Sequence, residues 1–236
     1  MLALVLAATA GCDNQFTRLG MPTPITEQGK RVLSLWQGSW IAAFAVGALV
    51  WGLIIWAVIF HRKRSNDLPP QVRYNMPIEA LYTVVPFIIV AVLFYFTARD
   101  ETYLDETTKN PNVTVNVTAF QWSWKFDYPQ SGVSVVGRPG ADPTLVIPAG
   151  RTVRFNLKST DVIHSFWVPA FLFKRDVVPG HPNHFEVTTT KTGTYAGRCA
   201  ELCGVDHSRM LFNVEVVSPS QYQDFITKNK PAGSAQ

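Results

Sequence analysis

Cys199-Ala-Glu-Leu-Cys203-Gly-Val-Asp-His207-Ser-Arg-Met210 places two thiols, an imidazole and a thioether within twelve residues near the C-terminus. Asp161-Val-Ile-His164-Ser-Phe-Trp adds a second imidazole upstream. Soft sulfur ligands combined with imidazoles select copper, and a weak methionine is a frequent copper partner. A blue-copper ion needs only one cysteine. Two Cys, two His and one Met suffice for two copper ions that share bridging thiolates, which points to an electron-transfer centre. Each residue also has a plainer reading. A cysteine pair outside the cytoplasm commonly forms a disulfide. A lone His164 serves as a surface or packing residue, and a Met210 before Leu-Phe belongs to a core. Zinc accepts two Cys and two His. The joint occurrence at short spacing favours a metal, and the thioether and an exported location favour copper.

A loop of this kind needs a rigid frame, and the flanking sequence supplies one. Val113-Thr-Val115-Asn-Val117-Thr alternates apolar and polar residues as a half-buried strand does. Thr144-Leu-Val-Ile, Thr152-Val-Arg-Phe-Asn-Leu157, His184-Phe-Glu-Val-Thr188, Gly193-Thr-Tyr-Ala-Gly197 and Leu211-Phe-Asn-Val-Glu-Val216 continue the series. Short strands at this spacing predict an antiparallel, all-β Greek-key sandwich or barrel over residues 110–217. Cys199 to Met210 falls in the loop before its last strand, and His164 in a loop between earlier strands. A sandwich that brings an upstream His beside a late Cys-rich loop has the layout of a cupredoxin. The tail, residues 218–236, opens with a short predicted helix over 221–228.

Upstream the composition changes. The whole chain is 47% hydrophobic and only 16% charged, and two long runs hold many of the apolar residues. Residues 39–60 carry no charge, and 22 residues at 1.5 Å each span about 33 Å, enough for a bilayer core. Residues 76–98 form a second run with Glu79 near its start. Together they predict two transmembrane helices, a helical hairpin. The loop between them, residues 61–75, holds Arg62, Lys63, Arg64 and Arg73 against Asp67, which places it in the cytoplasm and both termini outside. An acidic residue in a membrane segment is a functional candidate by default, but Glu79 lies close enough to the cytoplasmic end to reach water or a headgroup.

Residues 1–11 end in small residues before Cys12, as in a lipoprotein signal cleaved so that Cys12 becomes lipidated. The usual basic start is missing, and a plain secretory signal is the alternative. Residues 12–38 would then be an outer N-terminal segment. The net charge of +4 is a mild excess without basic-aromatic blocks, so no nucleic-acid partner is expected.

Three segments carry a family resemblance. Gln121-Trp122-Ser-Trp124-Lys-Phe-Asp-Tyr128, Asp161-Val-Ile-His164-Ser-Phe-Trp-Val-Pro169 and the Cys199–Met210 stretch resemble subunit II of the cytochrome c oxidases in the haem-copper family. The resemblance implies that Cys199 and Cys203 bridge two coppers of a binuclear copper A centre and that His164 and His207 bind one each. Met210 and the Glu201 carbonyl would be weak ligands, and the Glu201 side chain would reach a magnesium shared with subunit I. Trp122 would be where an electron enters from cytochrome c, on its way to haem in subunit I, where oxygen is reduced with proton pumping. Ile78-Glu79-Ala-Leu-Tyr-Thr-Val-Val-Pro86 looks like the segment whose Glu guards a proton channel. Implied partners are subunits I and III, cytochrome c and membrane lipid. The implied location is the bacterial plasma membrane, multi-pass, with the copper domain on the periplasmic side.

The chain departs from the family where His181 follows Val178-Pro-Gly in place of the usual Arg. Residues 110–236 hold 12 Lys/Arg against 9 Asp/Glu. A soluble basic cytochrome usually wants an acidic face, so a membrane-held donor, within a respiratory supercomplex, is the expectation.

Overall fold

The computed structural model describes residues 15–68, 71–138 and 140–231. Cys12 and the signal residues 1–11 lie outside the described residues. Two compact units result, residues 34–101 and the remainder.

Helices α1 (Glu27–Phe60) and α2 (Met76–Asp105) contain the two apolar runs; α1 starts before its run and α2 continues past its own. Both are long and apolar enough to cross a membrane. Trp51, Phe87 and Phe94 stand exposed along them, an arrangement stable only where the solvent is itself hydrocarbon. Pro86 lies inside α2, which bilayer-spanning helices tolerate. At the start of α2, Asn75 accepts from the Ile78 N–H, and the Glu79 carboxylate accepts the Asn75 N–H at 2.9 Å. Glu79 therefore caps its own helix where backbone donors are otherwise orphaned.

The other unit is a sandwich of two five-stranded sheets. One sheet has the order β3 (Val133–Val136), β2 (Ser123–Tyr128), β1 (Val113–Phe120), β5 (Thr152–Ser159), β8 (Asn183–Thr188). The second runs β4 (Thr144–Pro148), β10 (Leu211–Val217), β9 (Gly193–Cys199), β6 (His164–Val168), β7 (Phe173–Val177). The expected sandwich is present, but the sheets are mixed: β1 pairs β5 in parallel and β4 pairs β10 in parallel. The chain leaves and re-enters each sheet through its neighbour, so the returning strand runs in the same direction as the one it meets. Strands β2, β3, β6 and β7 were absent from the alternation series. His164 opens strand β6 rather than lying in a loop, and Cys199 closes β9, so the ligand loop begins at residue 200.

Alternate residues face the core, as in β1, where Val113, Val115, Val117 and Ala119 are buried. Phe166 occupies the middle of that core, with ring centroids 4.8 Å from Phe212, 5.6 Å from Phe155 and 5.7 Å from Trp124. Each fully buried aromatic of this kind contributes roughly 1.5–3 kcal/mol over its exposed state. Gly197 faces Phe212 across the β9–β10 ladder, and the Phe212 ring fills the space a side chain at 197 would need.

Two devices close the ends. Helix α3 (Pro219–Asn229) starts with a reciprocal capping box of Ser218 and Gln221 and lays Tyr222 and Phe225 on Tyr128. The Tyr128 hydroxyl donates to the Val146 carbonyl and accepts the Val146 N–H, both at 2.9 Å. Near the opposite terminus, Ile25 donates to Ala170 O at 3.0 Å and accepts from the Thr190 N–H at 2.7 Å, which pins the chain just before α1 to the sandwich.

Candidate metal centre

Two adjacent strands bring the sequence candidates together. β6 and β9 run antiparallel with Phe166 opposite Cys199, so the start of one strand, His164, lies beside the end of the other, Cys199. The loop after Cys199 returns through a short 3-10 turn (His207–Arg209), and the Cys199 N–H donates to Met210 O at 3.0 Å. That bond is the last rung of the β9–β10 ladder. It draws both ends of the loop to one point.

The donor atoms of His164, Cys199 and Cys203 lie within 4.8 Å of one another, and all three residues are buried. The two Sγ atoms are 3.8 Å apart and both cysteines are free. A disulfide requires about 2.05 Å, so the pair is not bridged. Around this central pair the other donors divide evenly. His164 Nδ1 lies 3.8 Å from Cys199 Sγ, and the Glu201 carbonyl oxygen 3.3 Å from it. His207 Nδ1 lies 3.6 Å from Cys203 Sγ, and Met210 Sδ 3.9 Å from it. Cys199 thus has an imidazole and a carbonyl beside it and Cys203 an imidazole and a thioether, and His207 also reaches Cys199.

The electrostatics follow from two thiols at this separation. Burial pushes the Cys199 thiol up, but hydrogen bonds with His164 and with the backbone at Glu201 and Ser165 outweigh it and bring it down. Burial and then the charge of neighbouring Cys199 push Cys203 up. Without a cation only one of the two ionises readily. Burial alone would lower His164, but Cys199 and Asp161 together raise it. Burial works to raise Asp161, and hydrogen bonds from His164 and from the Gln121 and Val162 backbone lower it.

The donor set fits copper. It consists of two thiolates, two imidazoles and a buried thioether, a soft combination. A structural zinc closes its tetrahedron with four donors and would not recruit Met210. Thiolates held 3.8 Å apart can both bond the same metal at about 2.3 Å each.

The remaining candidates fall at different distances from chemistry. Trp122 is half-buried, and its indole N–H donates to the Cys203 carbonyl at 3.1 Å. Gly204, at φ +127°, lies under that ring, where a Cβ would stand 3.0 Å from it. Trp124 is wholly buried, 6.2 Å from the His164 ring, and points its N–H at Met210 O. The Glu201 side chain is exposed. Glu79 lies in the helical unit, described above. His181 is exposed on a turn closed onto Val178.

Sequence reading assigned no role to Asp161. Its Oδ1 lies 2.8 Å from His164 Nε2, which fixes the ring and leaves Nδ1 toward Cys199. The signal was present as a carboxylate three residues before the imidazole, a pairing that metal-binding histidines regularly use.

The sequence profile of "Cytochrome C oxidase subunit II, periplasmic domain" matches residues 134–217. A "Probable cytochrome c oxidase subunit 2" of Streptomyces avermitilis is 55% identical over 99% of this chain and 88% of its own length. The chain belongs to the cytochrome c oxidase subunit 2 family. It is accordingly a membrane-anchored subunit of a terminal oxidase, an oxidoreductase, and that membership implies a subunit I partner. A "Cytochrome c oxidase subunit 2" of Mycobacterium bovis is 37% identical, with 96% of this chain and 79% of the relative covered. Among solved structures, the periplasmic domain of subunit II of cytochrome oxidase of Bradyrhizobium japonicum aligns with a TM-score of 0.48 at 29% identity, covering 52% of this chain and 97% of that one.

Proposed function

We propose that this subunit receives electrons from cytochrome c at a binuclear copper A centre held by His164, Cys199, Cys203, His207, Met210 and the Glu201 carbonyl. The observation that carries the reading is the pair of free thiols, 3.8 Å apart, with two imidazoles, a thioether and a carbonyl gathered around them. A copper pair bound there supplies reversible one-electron transfer. The chain's own contribution is rigidity: β6 and β9 hold His164 and Cys199, and the ladder bond at Met210 holds the loop's return. Donors fixed in advance move little when the charge changes, which keeps reorganisation small.

Trp122 is the point where the electron arrives, because its indole rests on the Cys203–Gly204 peptide. Leu202 and Val205, on either side of that peptide, are 78% and 87% exposed. Apolar tips of this kind, with the excess of Lys/Arg over Asp/Glu, suit a membrane-held cytochrome within a fixed assembly that also includes subunit III. Steep salt dependence of electron transfer from a free basic cytochrome would refute that partner. The exposed Glu201 carboxylate is available for a magnesium shared with subunit I. Glu79 guards a proton path, with the helix cap holding its carboxylate at the cytoplasmic edge. The hairpin spans the membrane twice, with the sandwich on the periplasmic side and lipid on Cys12.

Copper stoichiometry and the paramagnetic resonance spectrum of the full-length chain, measured on one sample, test the centre. Two coppers per chain, with one unpaired electron shared equally by both nuclei, are expected. One copper with single-nucleus splitting overturns the binuclear reading.

A further inference from the structure

We propose that Gln121 is a positioning residue that ties the two ligand loops of the centre together, an inference that rests on the copper reading above. The Gln121 backbone N–H donates to Asp161 Oδ2 at 2.6 Å. Its side-chain amide donates to the Cys203 carbonyl at 2.8 Å. The other Asp161 oxygen, Oδ1, accepts from the Val162 N–H at 2.7 Å and from His164 Nε2 at 2.8 Å. A neutral imidazole that donates through Nε2 carries its lone pair on Nδ1, the atom that faces Cys199. Gln121 therefore holds the Cys203 carbonyl through its side chain and, through its backbone N–H and Asp161, the His164 ring beside Cys199.

The plainer alternative is an ordinary surface glutamine. Gln121 is exposed, so the apolar core does not need it. Yet both its backbone and its side-chain donors go to the ligand loops, 40 and 82 residues away in sequence. Trp122 donates to the same Cys203 carbonyl, so this dipeptide engages both lone pairs of that oxygen. The electron-accepting tryptophan, the Cys203 backbone and the His164 ring thus share one hydrogen-bonded circuit. An asparagine at 161 cannot complete it, since its amide nitrogen would face one of the donors that the carboxylate now accepts.

The test uses the full chain in detergent with Gln121→Met, which keeps length but removes the side-chain donor, with Asp161→Asn, and with both together. Copper affinity is read by competition with a chelator, and amide exchange is read on the metal-free chain. Each single change is expected to weaken copper by roughly 10–100-fold, as loss of outer partners does. The double variant is expected to lose clearly less than the product of the singles, because the two changes break successive links of one chain, Cys203 O to Gln121 to Asp161 to His164. In the metal-free chain, Gln121→Met is expected to speed exchange at residues 161–164 as well as at 203–209. A multiplicative loss in the double variant, or faster exchange confined to 203–209, overturns the tie. A wild-type chain that takes up no copper refutes the copper reading instead, and the exchange measurement still decides the tie. Should Gln121→Met not fold, Gln121→Glu keeps the length and sets an acceptor against the carbonyl. A folded Gln121→Glu chain with unchanged affinity and exchange also overturns the proposal.

Discussion

The two imidazoles of the centre are held in opposite ways. His164 opens a strand, is wholly buried and has Asp161 at 2.8 Å behind its ring. His207 stands in a three-residue turn, half-exposed, and among the described residues its second ring nitrogen has no hydrogen-bond partner. One half of the site is built by the sheet before any metal arrives. The other half stands on a loop, held at Cys203 by Gln121 and Trp122 and at Met210 by the ladder bond, with less of the core around its imidazole. A site divided this way has one imidazole fixed by a strand and the other by a loop.

The largest test of that division strikes the sheet. Phe166→Ala empties the core beneath His164, and large-to-small aromatic changes cost about 3–5 kcal/mol. Chemical unfolding of the metal-free chain is expected to show that loss. A near-wild-type midpoint would mean that the core does not support the His164 side.

Replacing each imidazole in turn compares the halves directly. His164→Ala leaves a buried cavity and strips Asp161 of a partner, at about 2–4 kcal/mol in the metal-free chain. His207→Ala is expected to stay within about 0.5 kcal/mol, as exposed substitutions do, although both variants lose the copper pair. Equal destabilisation would erase the asymmetry. Removing copper from the wild-type chain sharpens the same contrast: amide exchange is expected to rise at 204–209 and to stay unchanged along β6.

Gly204→Ala probes the loop half alone. Alanine at φ +127° is strained, and its Cβ would press on the Trp122 ring. About 1–3 kcal/mol is expected, with a change in Trp122 fluorescence. Unaltered fluorescence would show that the ring does not rest on this peptide.

One effect lies far from both halves and appears only in alkali. Burial pushes the Tyr222 phenol up to about 12. Its unfolded value is near 10, so unfolding above pH 10 releases a proton that the folded chain retains. That stability is fully present below pH 10 and is lost as pH rises through about 12, at no more than about 1.4 kcal/mol per pH unit. Alkaline unfolding of Tyr222→Phe should be shallower between those limits. Equal slopes would remove Tyr222 from the alkaline transition.

Several strands were legible because a half-buried strand writes its burial as alternation, as in β1, β5 and β10. Others were not. β6 is buried on both faces, with only Trp167 partly open, so His164-Ser-Phe-Trp-Val carries no period. β7 is an edge strand whose Lys-Arg-Asp centre reads as a loop. β2 does alternate Trp124, Phe126 and Tyr128 inward, but its aromatics stood out as a motif rather than as a strand. Parallel pairing of β1 with β5 leaves no local mark, because it depends on a path through the other sheet.

Donor chemistry and the two apolar runs were readable along the chain, since both depend on residue types within short windows. Only the tertiary structure decided which imidazole stands beside which thiol, that the thiols remain 3.8 Å apart rather than bonded, and that Asp161 and Gln121 support them. His164 and Cys199 are 35 residues apart, and Gln121 and Cys203 are 82 apart. Spacing governs neighbours along the chain, and contacts across such separations are set by strand register and by the packing of two sheets.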